Sequence, residues 1–209
     1  MESSGYHLYV MVKGAITYKI DLLGCLFGQN QPEIKPDIKF NKSDKLECSC
    51  CNEALRNINP YLQDYKKAQN KQRIFNTICI MKISCGSASG EKGGHRPLTS
   101  YLGKISIRTS EVFVKCDTCE SVCSKRFHHE IIHAEDFCLK GRTLHCDDAI
   151  KREIDAYYFS ACYGYKDPKQ CLLDNVKNSV YAYPECKGEN ITIRAKDAIE
   201  NFIKNPTRG

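Results

Sequence analysis

A chain of 209 residues with 42% hydrophobic residues is long enough for one domain with a sizeable core, or one core with an irregular N-terminal extension. The formal charge of +6 comes from dispersed Lys and Arg rather than a basic block interleaved with aromatics; this argues against nucleic acid and leaves weak, salt-screened attraction to an anionic membrane surface. Fourteen cysteines point to an oxidising compartment and a disulfide framework, the alternative being thiolates that hold a second metal.

Residues 1–44 read as an N-terminal extension and linker, and residues 45–209 as the folded domain. The most apolar early run, Tyr6 to Phe27, contains His7, Lys13, Lys19 and Asp21. Each Lys or Asp at the centre of a spanning helix costs about 2.5–3.5 kcal/mol, so no transmembrane helix is expected there. No secretory signal and no Arg- and Ser-rich transit pattern is expected either. Gln29 to Pro36 is turn-rich.

Cys48-Ser49-Cys50-Cys51 opens a cysteine-dense segment, followed by a helical pattern in Leu55, Ile58, Leu62 and Tyr65 that Pro60 is expected to interrupt. Cys48 with Cys51, and Cys116 with Cys119, form two C-x-x-C pairs. The 64 residues between them far exceed the roughly 15–20 of a zinc ribbon, so disulfides are the preferred reading.

Arg73 to Ser84 is rich in Ile, and Gly103 to Cys116 shows two alternating stretches around Thr109-Ser110. Both predict strands of a small antiparallel sheet; Val112-Phe113-Val114 is a candidate for the strand nearest the helix that follows, though a simple core strand is the preferred reading. Between them, Gly86 to Pro97 reads as a loop, and His95 as a solvated loop residue.

His129-Glu130-Ile131-Ile132-His133 is an H-E-x-x-H motif inside a helical pattern from Phe127 to Cys138 that contains neither Pro nor Gly. Positions i and i+4 of a helix lie one above the other, so His129 and His133 can offer two ring nitrogens to one Zn²⁺. Glu130 then stands as the general base. The third ligand must come from elsewhere. Glu153, twenty positions after His133 on a helix expected to start with Asp147 or Asp148 as N-cap and to run through Cys162, is the leading candidate. Asp155 would face away round the helix. Asp136 is a further candidate, better suited to orient a His N–H. Asp167-Pro168 starts another helix, to about Tyr183, with Leu172, Val176 and Val180 inward; Asp197 to Lys204 forms a last short one. Cys162, Cys171 and Cys186 are placed to staple these helices.

HEIIHAEDFC at 129–138, REIDAYYFSAC at 152–162 and CLLDNVKNSVYAYPECK at 171–187 resemble the mitochondrial inner-membrane metalloprotease family that processes an ATP synthase subunit and assists its assembly. CNEALRNINPYLQDYKKA at 51–68 and EVFVKC at 111–116 fall in matching order. The resemblance implies an α+β, zincin-like metallopeptidase with an active-site helix and C-terminal helices stapled by disulfides. It implies a zinc enzyme of the intermembrane space, peripheral to the inner membrane, with His129, His133 and Glu153 as the metal positions and Glu130 as the base. Its partner would be an inner-membrane protein substrate or a respiratory or ATP synthase complex. The chain has no Trp, and Glu135 stands where the family carries an aromatic. That departure motivates an alternative: a catalytically weak or inactive homologue serving as an assembly factor or structural subunit of such a complex. A secreted cysteine-rich metallopeptidase is the third reading, disfavoured by the N-terminus.

Overall fold

The helical pattern breaks next to Pro60, as expected: Ile58 is a turn after helical Asn57, and a new helix starts with Pro60 in its first turn, where a proline lacks only an N–H that would have no partner. Helix α1, Asn59–Arg73, carries it at that position and buries Leu62, Tyr65, Ala68, Gln69 and Gln72 on one face. The computed structural model describes residues 37–40, 54, 57–85, 93–115, 121–142, 145–181, 183–187 and 190–206. They all belong to one compact unit that begins at Pro36. The readings made on Tyr6 to Phe27, on Gln29 to Pro36 and on the two C-x-x-C pairs lie outside these residues.

Four strands, β1 (Asp37–Phe40), β2 (Thr77–Cys85), β3 (Gly93–Leu102) and β4 (Ile105–Val114), form a sheet in the order β1-β2-β4-β3. β1 with β2 and β2 with β4 run parallel, and only β3 with β4 is antiparallel. The expected antiparallel sheet is therefore a mixed one. Chain direction is the reason: β3 carries the chain back along the sheet, so β4 comes to lie beside β2 in β2's own direction. Gly103 to Cys116 gives one strand that passes through Thr109-Ser110 without a break. Gly93 to Pro97, read as loop, is the start of β3. An end strand bonds on one side only and so tolerates a proline.

Helix α2, Ser121–Lys140, packs on one face of this sheet. Cys123, Phe127, Ile131, Ala134 and Cys138 recur at helical spacing and meet Met81, Ile83, Val112 and Val114 in a first apolar cluster. Phe127 and Ile83 have no exposed surface; truncating either to Ala would cost about 2–5 kcal/mol. A Cys79–Cys138 disulfide joins the helix to β2.

Helix α3, Cys146–Tyr157, continues into a π-helical turn, Tyr158–Cys162, closed by Tyr163 N–H donating to Tyr158 O at 2.7 Å. Its N-cap is His145; Asp147 and Asp148 lie in the first turn, where their charge favours the helix dipole. Helix α4, Pro168–Val180, starts as expected, with Asp167 accepting from Gln170 N at 3.0 Å. A 3₁₀ turn, Pro184–Cys186, leads to helix α5, Ile191–Lys204, which is longer than the 197–204 expected. Ile150, Ile154, Leu172, Val176, Ile191 and Ile199 form a second apolar cluster among α3, α4 and α5. Cys146–Cys186 and Cys162–Cys171 staple it. Among the described residues no helix is long and apolar enough to cross a membrane.

Candidate metal centre

α2, which carries part of the first cluster, packs against α3, which carries part of the second, and three side chains able to hold a metal ion converge between them. The apolar positions of α2 face the sheet, so His129 and His133, one turn apart, are turned toward α3. The apolar face of α3 is committed to α4 and α5, and Glu153 at its edge is directed back to the histidines. His129 Nε2 and His133 Nε2 lie 3.0 Å apart. Glu153 Oε1 is 3.2 Å from His133 Nε2, and Oε2 is 3.5 Å from His129 Nε2. One ligand atom from each residue falls within 4.8 Å of the others, a group able to hold a metal ion.

Glu153 is only 3% exposed. Burial alone would raise its pKa, but the His133 charge and hydrogen bonds from both imidazoles hold the carboxyl below its usual range. Burial alone would lower the His133 pKa, yet the Glu153, Glu130 and Asp136 carboxylates raise it to about 9. Both shifts describe a buried ion pair in the metal-free site. Tyr183 donates its hydroxyl to Glu153 Oε1 at 2.8 Å. Its own burial, with the Glu153 charge, pushes that phenol above the ordinary range, so it remains a donor. The Tyr157 ring lies 4.3 Å from the His129 ring, centroid to centroid, and its hydroxyl contacts Ser179 at 2.6 Å.

These groups line a cleft of about 760 Å³ whose other wall is the start of β3. Glu130 opens onto it: a Cβ at Gly93 would stand 3.5 Å from Glu130 Oε1, so the carboxylate lies directly beside the end strand. His95 is not a solvated loop residue. Its partner in the sheet is Val112, so it points to the helix side, where its Nε2 is 3.0 Å from Ser110 Oγ and its ring 6.3 Å from that of His133. Burial, then the nearby charges of His133 and Arg152, lower its pKa to about 3. The cleft-side strand is β3, whereas Val112 and Val114 are core.

Asp136 does not orient a histidine; it pairs with Arg152 Nε and with Lys140 Nζ. Arg152 precedes Glu153 and also donates to Gly141 O at 2.9 Å, so its ion pair with Asp136 fastens α2 to the helix that carries Glu153. Asp155 is not among the converging residues.

No protein-family model, curated protein or solved structure matches the chain. The fit of a cation rests on the donor atoms themselves. Two neutral imidazole nitrogens aimed at one another at 3.0 Å present lone pairs that repel unless a proton or cation lies between them. Buried Glu153 Oε2 has only a long contact, 3.5 Å to His129 Nε2, and makes no close hydrogen bond. A bound cation answers both. His95 and Tyr183 are the site residues that sequence reasoning missed; the hairpin signal Tyr101-Leu102-Gly103-Lys104-Ile105, with Gly103 at φ +58°, would have placed His95 on a strand. Nothing local marks Tyr183.

Proposed function

We propose that the chain is a zinc metalloendopeptidase of zincin type, acting in the mitochondrial intermembrane space at the surface of the inner membrane. The observation that carries the proposal is the position of Glu130: its carboxylate borders Gly93 on an end strand, one helical position from a buried His/His/Glu group. The nitrogen and carboxylate donors suit zinc, and His129, His133 and Glu153 would hold it. Zinc at such a site supplies a Lewis acid for the scissile carbonyl and acidifies water.

The remaining chemistry belongs to the chain. β3, the end strand among the described residues, has backbone groups on its outer side with which an extended peptide can pair, and Gly93, lacking a side chain, leaves room beside Glu130. Glu130 takes a proton from the attacking water. The oxygen adds to the carbonyl carbon, the C–N bond breaks, and Glu130 returns the proton to the leaving amine. His95 and Phe137 line the cleft beside His133, ring against ring.

The compartment and substrate class rest on the resemblance of 129–138, 152–162 and 171–187 to the ATP synthase-processing family, supported by oxidised cysteines in both clusters. The test is elemental analysis of the protein purified under oxidising conditions, followed by cleavage assays on inner-membrane precursor proteins. One zinc per chain, lost in His133→Ala, and cleavage lost in Glu130→Gln with zinc retained are expected. Cleavage that survives in Glu130→Gln overturns the enzymatic reading; normal complex assembly with that variant favours the assembly-factor alternative.

A further inference from the structure

The hydroxyl of Tyr183 meets the one ligand that the H-E-x-x-H helix does not supply. It donates at 2.8 Å to Glu153 Oε1, the oxygen that also lies 3.2 Å from His133 Nε2. Tyr183 lies just beyond α4, where its N–H donates to Val180 O at 3.0 Å and the chain enters the 3₁₀ turn Pro184–Cys186. Cys186 is bonded to Cys146, the first residue of α3. Seven residues along α3, about two turns, lies Glu153. The same two segments are thus joined twice, by a covalent bond at one end and by the phenol at the other.

A carboxylate on a flexible Glu stem has three side-chain torsions to fix. Among the described residues Glu153 has no lysine or arginine partner; Arg152 beside it is committed to Asp136. The phenol is the donor that sets its plane.

We propose that Tyr183 is a positioning residue of the metal centre, holding the Glu153 carboxylate so that an oxygen faces the gap between His129 and His133. This rests on the reading of His129, His133 and Glu153 as zinc ligands. Hydrogen bonds to a ligating group from outside the ligand set typically alter metal affinity by about 10–100-fold. Tyr183 acts by restricting Glu153 before the ion arrives, so its loss falls on affinity and on ligand geometry rather than on the fold.

The experiment is Tyr183→Phe, which removes the hydroxyl and keeps the ring. Zinc is competed against a chromogenic chelator, Co²⁺ is substituted to read the d–d spectrum, and the metal-free proteins are melted. Zinc affinity lower by roughly 10–100-fold, altered cobalt bands and an apo melting temperature close to wild type are the expected results. Affinity within twofold of wild type with an unchanged cobalt spectrum overturns the proposal. If wild type loses zinc in His133→Ala while Tyr183→Phe binds normally, only the role of Tyr183 fails. If wild-type zinc is indifferent to His133→Ala, the metal reading itself fails. Tyr183→His, which keeps a ring and a donor, is the second variant: folded protein with intermediate affinity supports the role. Failure of both variants to fold, with or without metal, overturns it in favour of a purely structural one.

Discussion

His95 Nε2 sits 3.0 Å from Ser110 Oγ, a contact between two neighbouring strands that fixes the imidazole edge-on to Phe137 and nearly parallel to His133. Burial first, and the charges of His133 and Arg152 after it, hold the ring neutral down to about pH 3. An unfolded chain takes up the same proton near pH 6.5. Between these values the unfolded state binds more protons, so stability falls as pH drops from about 6.5 toward 3. Denaturant midpoints measured across that range should decline in wild type and decline less in His95→Gln; equal slopes would contradict the assignment.

The opposite sign applies to His133. In metal-free protein its pKa is raised to about 9 by Glu153, Glu130 and Asp136 against the effect of burial. The stabilisation it contributes is complete below about 6.5 and fades as pH rises through 9. Zinc bound by His133, as proposed, would have to displace that proton. Apparent zinc affinity should rise up to about tenfold per pH unit below 9 and level off above it. Calorimetry in buffers of different ionisation enthalpy would detect the released proton, and a flat profile would refute the pairing.

Gly94 lies against a ring. A Cβ there would stand 2.5 Å from the Cζ of Phe113, over which the Arg96 guanidinium also rests at 4.9 Å. Gly94→Ala should cost about 1–3 kcal/mol by overpacking, and should shift His95, its neighbour, out of register with Ser110. Thermal melts together with the His95 imidazole resonances would show both changes; a stable variant with unmoved His95 signals would not fit this packing.

The Cys146–Cys186 bond closes a span of 40 residues that includes all of α4. Its removal by paired Cys→Ala substitution should destabilise the protein by about 2–5 kcal/mol. The same variant should lose zinc more readily than one lacking Cys162–Cys171, since only the former bond anchors the Tyr183 segment to α3. Equal zinc retention in the two variants would separate that bond from the site.

The parts legible in the sequence are those written locally. The run from Phe127 to Cys138 announced its helix through uninterrupted periodicity, Asp167-Pro168 announced α4 through its cap, and Glu153 followed from spacing. Direction and partner of a strand are not local: Ile-rich β2 alternates in the same way whether its neighbour runs parallel or antiparallel. β3 was hidden because Gly93, Gly94 and Pro97 carry little strand preference of their own; ten residue pairs with β4 impose the conformation. Tyr183 was hidden for a different reason. A tyrosine thirty positions from its acceptor has no signature until the chain has folded back.

The seam between the two apolar clusters has a consequence for assembly of the molecule. His129 and His133 belong to the half built on the sheet, and Glu153 to the half built on helices. An ion seated among them is a rivet through both plates. Its stabilising effect grows with the ratio of free ion to dissociation constant, so the tightness of the joint follows the supply of metal in the surroundings. In zinc-starved protein, amide hydrogens where α2 faces α3 would exchange sooner than those deep in either half. A chain with zinc seated as proposed would then report the scarcity of that ion as a loosening along one line.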